Sequence, residues 1–159
     1  KGVVTKGAPK VLIFCHQATD PRVMRMIEEA GLAVPTTALI GVTASQAAAF
    51  ADTTYTIWEE KVANNMLSHG LYHSTPGCIH RYRELCQTWE VDGVLNFYHF
   101  SCRAICITPL MIKSTIEKDM GIPVLSLEGD FYDTRHYSAE ALRTRVETFA
   151  EMLTIKATS

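Results

Sequence analysis

Apolar positions along this chain fall into two patterns, short continuous runs and stripes at helical spacing, and the two alternate. Val11 to Cys15 is an unbroken apolar run, which predicts a strand buried on both faces of a parallel sheet. Asp20-Pro21 then supplies a helix start, Val23, Ile27 and Ala30 fall on one helical face, and Gly31 supplies the stop. Leu32 to Ile40 reads as a second strand that Pro35 limits to a sheet edge or an irregular entry. Thr43 to Ser68 favours helix and carries Ile57, Trp58, Val62 and Met66, without a legible packing direction. Gly70, Pro76 and Gly77 punctuate a loop over 69–77, after which Ile79, Tyr82, Leu85, Cys86 and Trp89 form one stripe of a helix reaching Glu90. Val94 to Phe100 is β-rich and short enough for a buried strand. Thr108-Pro109 opens the next helix, Ile112, Ile116 and Met120 share a face, and Gly121 with Pro123 ends it. Val124 to Leu127 is the fourth strand. After a polar loop over 131–137, Ser138 caps a final helix with Leu142, Val146, Phe149 and Leu153 on its apolar face, and Thr154 to Ser159 reads as a frayed tail.

The resulting order, β-α-β-α-α-β-α-β-α, predicts an α/β fold with a doubly wound, mostly parallel four-stranded sheet flanked by helices, in the Rossmann or flavodoxin style. Strands joined through a helix are parallel with right-handed crossovers. A strand order of 2-1-3-4 puts the topological switch between the first and third strands, and ligands of open parallel sheets sit at such a switch, beyond the carboxyl ends. The segments leaving those strands carry Cys15-His16 and His99 to Cys106. The topology thus predicts that distant thiols and imidazoles converge on one crevice.

Composition narrows the partners. The 159 residues suit one domain, with 47% hydrophobic and 20% charged residues. We read residues 1–10 as a basic linker, 11–154 as a single α/β domain and 155–159 as tail. A formal charge of −2 gives no reason to expect nucleic acid or an anionic membrane as partner. No apolar run spans a bilayer and no signal-peptide pattern opens the chain, so a soluble cytoplasmic protein is expected. The first residue is Lys1 rather than methionine, which is expected of a piece of a longer subunit.

Five cysteines, an odd number, cannot all pair within the chain. Cys102 follows a strand, lies between Ser101 and Arg103, and leads into a helix. The guanidinium and the helix amides favour a thiolate there, so it reads either as ligand or nucleophile or as a partly buried free cysteine. Cys106, four residues on, can share a helical face with it, but a Cys-x3-Cys spacing is a weak metal signal. Cys15 ends an apolar strand and reads as structural, Cys86 lies on a core stripe, and Cys78 is placed in an accessible loop. Among the six histidines, His16 and His99 stand out only because the topology brings their loops together. Asp130, Asp133 and Arg135 read as a hydrated loop with a local ion pair. No G-x-G-x-x-G, Walker lysine loop or flavodoxin-type phosphate loop follows the first strand.

These residues carry a family likeness. The run Val91 to Leu95, then Ser101-Cys102, then Gly121 to Asp130, then the helix from Arg143 to Leu153 resembles the carboxy-terminal part of the 2-hydroxyacyl-CoA dehydratase and benzoyl-CoA reductase family. The likeness is close from Val91 onward and loose before it. It implies a [4Fe-4S] cluster, a second dehydratase or reductase subunit, and an ATP-dependent activator protein that delivers a low-potential electron. It further implies an acyl-CoA substrate, undergoing either radical loss of water from a (R)-2-hydroxyacyl-CoA or reduction of an aromatic ring. Carried over residue by residue, the family's cysteine after the third strand is Cys102, the expected iron ligand. Its other two cysteine ligands belong to an earlier domain outside these residues, which leaves Cys15 and Cys106 as this chain's own further candidates. The alternatives are a double-cubane-cluster reductase of small molecules and a non-catalytic α/β subunit-contact module.

Overall fold

The apolar run after Pro9 forms β1 (Lys10–Cys15), the strand on which the others assemble. In the computed structural model the described residues are 5–15, 21–38, 57–68, 75–100, 102, 108–130, 133, 135 and 138–158. They form β1, α1 (Pro21–Glu29), β2 (Ala33–Thr37), α2 (Trp58–Ser68), α3 (Thr75–Trp89), β3 (Gly93–His99), α4 (Thr108–Met120), β4 (Val124–Gly129) and α5 (Ala139–Thr158). Gly31 and Gly121 close α1 and α4 at φ +81° and +65°, conformations open to glycine without a Cβ penalty.

The sheet is entirely parallel, in the order β2-β1-β3-β4. This is the doubly wound α/β topology expected from the sequence. The β1–β3 register runs without a break from Val11↔Gly93 to Cys15↔Phe97, and β3–β4 runs from Val94↔Val124 to His99↔Gly129. On the outer edge, β2 fits one extra residue between Lys10↔Ala33 and Leu12↔Thr36. Pro35 lies in that irregular stretch, where an edge strand loses no ladder bond to a missing N–H.

Alternation along the strands sorts side chains into two cores. Val11, Ile13, Leu95, Phe97 and Leu127 pack with Val23, Met26 and Ile27 of α1 and with Leu142, Val146, Phe149 and Leu153 of α5. Leu12, Val94 and Val124 pack on the opposite face with Tyr82, Leu85 and Cys86 of α3 and with Ile112 and Ile116 of α4. Burial of both faces is what lets these strands be nearly continuous in apolar residues.

Four expectations change. The helix predicted from Ile79 begins at Thr75, because proline is tolerated in a first turn whose N–H groups have no intrahelical acceptor. Cys78 is therefore a residue of α3 rather than of a loop. Trp89 is 41% exposed, since the end of α3 has turned its face off the sheet. The residues read as a tail continue α5 to Thr158, with Thr154 Oγ1 donating to the Ala150 carbonyl and Lys156 Nζ to that of Gly121. In the helix-favouring region over 43–68, α2 covers the described part, with Ile57 and Trp58 exposed, and the remainder lies outside the described residues.

Candidate functional site

The carboxyl ends of β3 and β4 lie side by side, and the residues leaving them are tied together. Phe100 N–H extends the ladder by donating to the Gly129 carbonyl at 3.4 Å. His99 Nε2 lies 3.2 Å from Asp130 Oδ1, with side-chain exposures of only 13% and 12%. A carboxylate can only accept, so Nε2 carries the proton of this bond. The same Oδ1 accepts the Asp133 N–H at 3.1 Å. The Phe100 ring stacks on the imidazole at a centroid distance of 5.0 Å. The Cys102 N–H then turns back to donate to the His99 carbonyl at 3.2 Å. Cys102 thus stands within one turn of the strand end, half-buried and with its thiol free.

On the opposite face of β3 a second set of polar groups fixes the far side of the same loop. Asn96 is fully buried; Tyr82 Oη donates to its Oδ1 at 3.2 Å, and its Nδ2 reaches the Pro109 carbonyl, in the first turn of α4, at 3.5 Å. The segment that carries Cys102 therefore departs from a strand end held by His99 and returns to a helix start held by Asn96. Ser126, the register partner of Asn96 on β4, has a buried Oγ with no hydrogen-bond partner among the described residues.

The other predicted residues fall as follows. The backbone of Cys15 pairs with Phe97, which brings the end of β1 beside β3, while its side chain lies outside the described residues. Cys106 and His16 also lie outside them. Cys86 is a core residue, as expected, and burial pushes its thiol up to about 12. Cys78 is half-buried; burial raises its pKa and the Arg81 guanidinium pulls it back. Asp133 and Arg135 form the exposed local ion pair anticipated from the sequence.

Three polar contacts are not legible in the sequence. Asp130 reads from the sequence as part of a hydrated loop, yet its carboxylate is the partner of His99. Asn96 was hidden inside an apolar run. Arg81 is buried, donates from Nε to the Ala38 carbonyl beyond β2 at 2.7 Å, and has its pKa lowered by burial. A polar residue just past the end of each of two neighbouring parallel strands is the signal that could have found the first.

Among the described residues no group of three or more His, Cys, Asp or Glu side chains could hold a metal ion together. Among the described residues at these strand ends, the Cys102 thiol is the soft donor. That suits one corner of a thiolate-ligated iron–sulfur centre and leaves the remaining corners to other residues.

Comparison with known proteins adds a family. A family model described as 2-hydroxyglutaryl-CoA dehydratase, D-component, matches residues 1–153. The α subunit of (R)-2-hydroxyglutaryl-CoA dehydratase from Acidaminococcus fermentans is 36% identical over 64 residues, which cover 40% of this chain and 13% of that subunit.

Proposed function

From the premise that this chain belongs to the 2-hydroxyglutaryl-CoA dehydratase D-component family, we propose that it supplies one thiolate, Cys102, to an iron–sulfur centre in a (R)-2-hydroxyacyl-CoA dehydratase subunit. The observation that carries this reading is the position of Cys102, half-buried at the exit of β3, next to the switch of a doubly wound sheet. When bound, a low-potential cluster supplies the single electron that activates an acyl-CoA for loss of its 2-hydroxyl group.

The chain's own residues do the rest. Cys102 gives a soft donor, and the turn to the His99 carbonyl keeps its backbone at the strand mouth. The Phe100 ring stacks on the imidazole. Cys15 and Cys106 stay as further candidate ligands. An acyl-CoA substrate, a second subunit and an ATP-dependent activator protein complete the proposal. The family description favours dehydration over reduction of an aromatic acyl-CoA or double-cubane chemistry.

In the complex purified without oxygen, wild type is expected to hold iron and acid-labile sulfide, and Cys102→Ala to lose the charge-transfer absorbance and the EPR signal. A Cys102→Ala complex that retains the parent's iron overturns the assignment. A second reading, a subunit-contact module without catalysis, draws on the exposed apolar residues Met152 and Ile155 of α5 and Leu110 and Met111 of α4. It requires a partner-dependent shift in size that survives Cys102→Ala together with turnover that does not depend on Cys102.

A further inference from the structure

We propose that Asp130 and His99 are positioning residues for Cys102: the imidazole is hooked to the exit of β4, and its own carbonyl holds the backbone of the thiol-bearing turn. The inference rests on the reading of Cys102 as an iron ligand and deepens it by naming what sets the ligand's place.

The geometry runs through one residue in two directions. Through its side chain, His99 donates from Nε2 to Asp130 Oδ1 at 3.2 Å, linking two neighbouring strand ends in a setting largely shielded from water. Through its backbone, it accepts the Cys102 N–H at 3.2 Å. Asp130 is itself held, because the Asp133 amide donates to the same oxygen at 3.1 Å, so the exit loop of β4 and that of β3 share one acceptor atom. Beyond β3 the ladder itself continues only through a long link, the 3.4 Å bond from Phe100 N–H to the Gly129 carbonyl, among the backbone bonds of the described residues. A hydrogen bond to a carboxylate in a shielded site is stronger than a neutral one, which makes the hook stiffer than that long ladder link. Ligands that must hold a fixed geometry need a neighbouring group of this kind to orient them.

Cys102 alkylation by iodoacetamide, followed peptide by peptide by mass spectrometry, reads the position of the thiol without any cluster bound. Asp130→Ala is expected to speed alkylation of Cys102 about fivefold, the factor that one net hydrogen bond supplies. Cys86, buried in the α3 core, serves as the internal reporter of general loosening and keeps its slow rate. Asp130→Asn retains an acceptor oxygen at the same place, though a neutral one, and is expected to bring the rate most of the way back to wild type. In the assembled enzyme, Asp130→Ala changes the EPR line shape and Asp130→Asn returns it. The proposal is overturned by a Cys102 rate unchanged in Asp130→Ala, by Cys86 accelerating along with Cys102, or by Asp130→Asn behaving like Asp130→Ala. If Cys102→Ala keeps its iron while Asp130→Ala still frees the thiol, the ligand reading fails and the positioning survives; loss of iron with an unmoved alkylation rate gives the converse.

Discussion

Two polar residues paired in register on β3 and β4 have opposite energetic standing. Asn96 is buried but satisfied on both ends of its carboxamide, by Tyr82 and by the Pro109 carbonyl. Ser126, beside it in register, buries an Oγ that has no partner among the described residues. Removing one partner of a buried pair leaves the other desolvated, whereas removing an unsatisfied group leaves nothing behind. Tyr82→Phe is therefore expected to destabilise the fold by about 1–3 kcal/mol, while Ser126→Ala leaves stability unchanged or raises it. Urea melts of both variants check this, and a Ser126→Ala loss as large as that of Tyr82→Phe would contradict it. At this scale the sequence located Cys102 at a strand mouth but not the hook that holds it. His99 and Asp130 are far apart along the chain, and their bond exists only because β3 and β4 are adjacent and in register.

Among the elements, α5 approaches the sheet closely at Gly93, the first residue of β3. A Cβ placed there would lie 2.9 Å from both Leu153 Cδ1 and Phe149 Cζ. Both side chains are in the core and have little room to yield. Gly93→Ala is expected to cost about 1–3 kcal/mol through overpacking, visible as a lower Tm with the helical circular dichroism retained. An unaltered Tm would mean that α5 can slide outward at no cost. The element boundaries show where pattern reading falls short. Pro76 and Gly77 look like breakers, yet they occupy the first turn of α3, where neither removes an intrahelical bond that would otherwise form. The described residues after Leu153 carry no buried apolar stripe, yet α5 stays helical to Thr158, with Lys156 fastened to the carbonyl that ends α4.

For the whole molecule, burial of ionisable groups on the α3–α4 face is expected to make stability fall at alkaline pH. The Cys86 thiol is pushed up from 9.0 to about 12 by burial, and Tyr82 is raised well above its ordinary value by the same cause. A raised folded pKa means that the unfolded chain loses its proton first, so stability is complete below the unfolded value and falls as pH climbs toward the folded one. For the Cys86 thiol alone, the fall between pH 9.0 and about 12 approaches about 1.4 kcal/mol per pH unit. Urea midpoints are expected to hold steady from neutral pH to pH 9.0 and to drop above it. Cys86→Val should flatten part of that decline by removing one of the two groups. A decline equally steep in the variant would assign it to other ionisations.

What the linear order of residues determined by itself was the fold and the neighbourhood. Unbroken apolar runs demand burial on both faces, crossover helices demand parallel strands, and together they place Cys102 beyond the carboxyl end of β3 and the end of β1 beside it. What only the tertiary structure decided was which polar groups answer each other across that neighbourhood: His99 with Asp130, Asn96 with Tyr82 and Pro109, Arg81 with Ala38. Apolar burial is non-directional and leaves a period in the sequence, whereas a hydrogen bond depends on distances of a few tenths of an ångström between residues that no period connects.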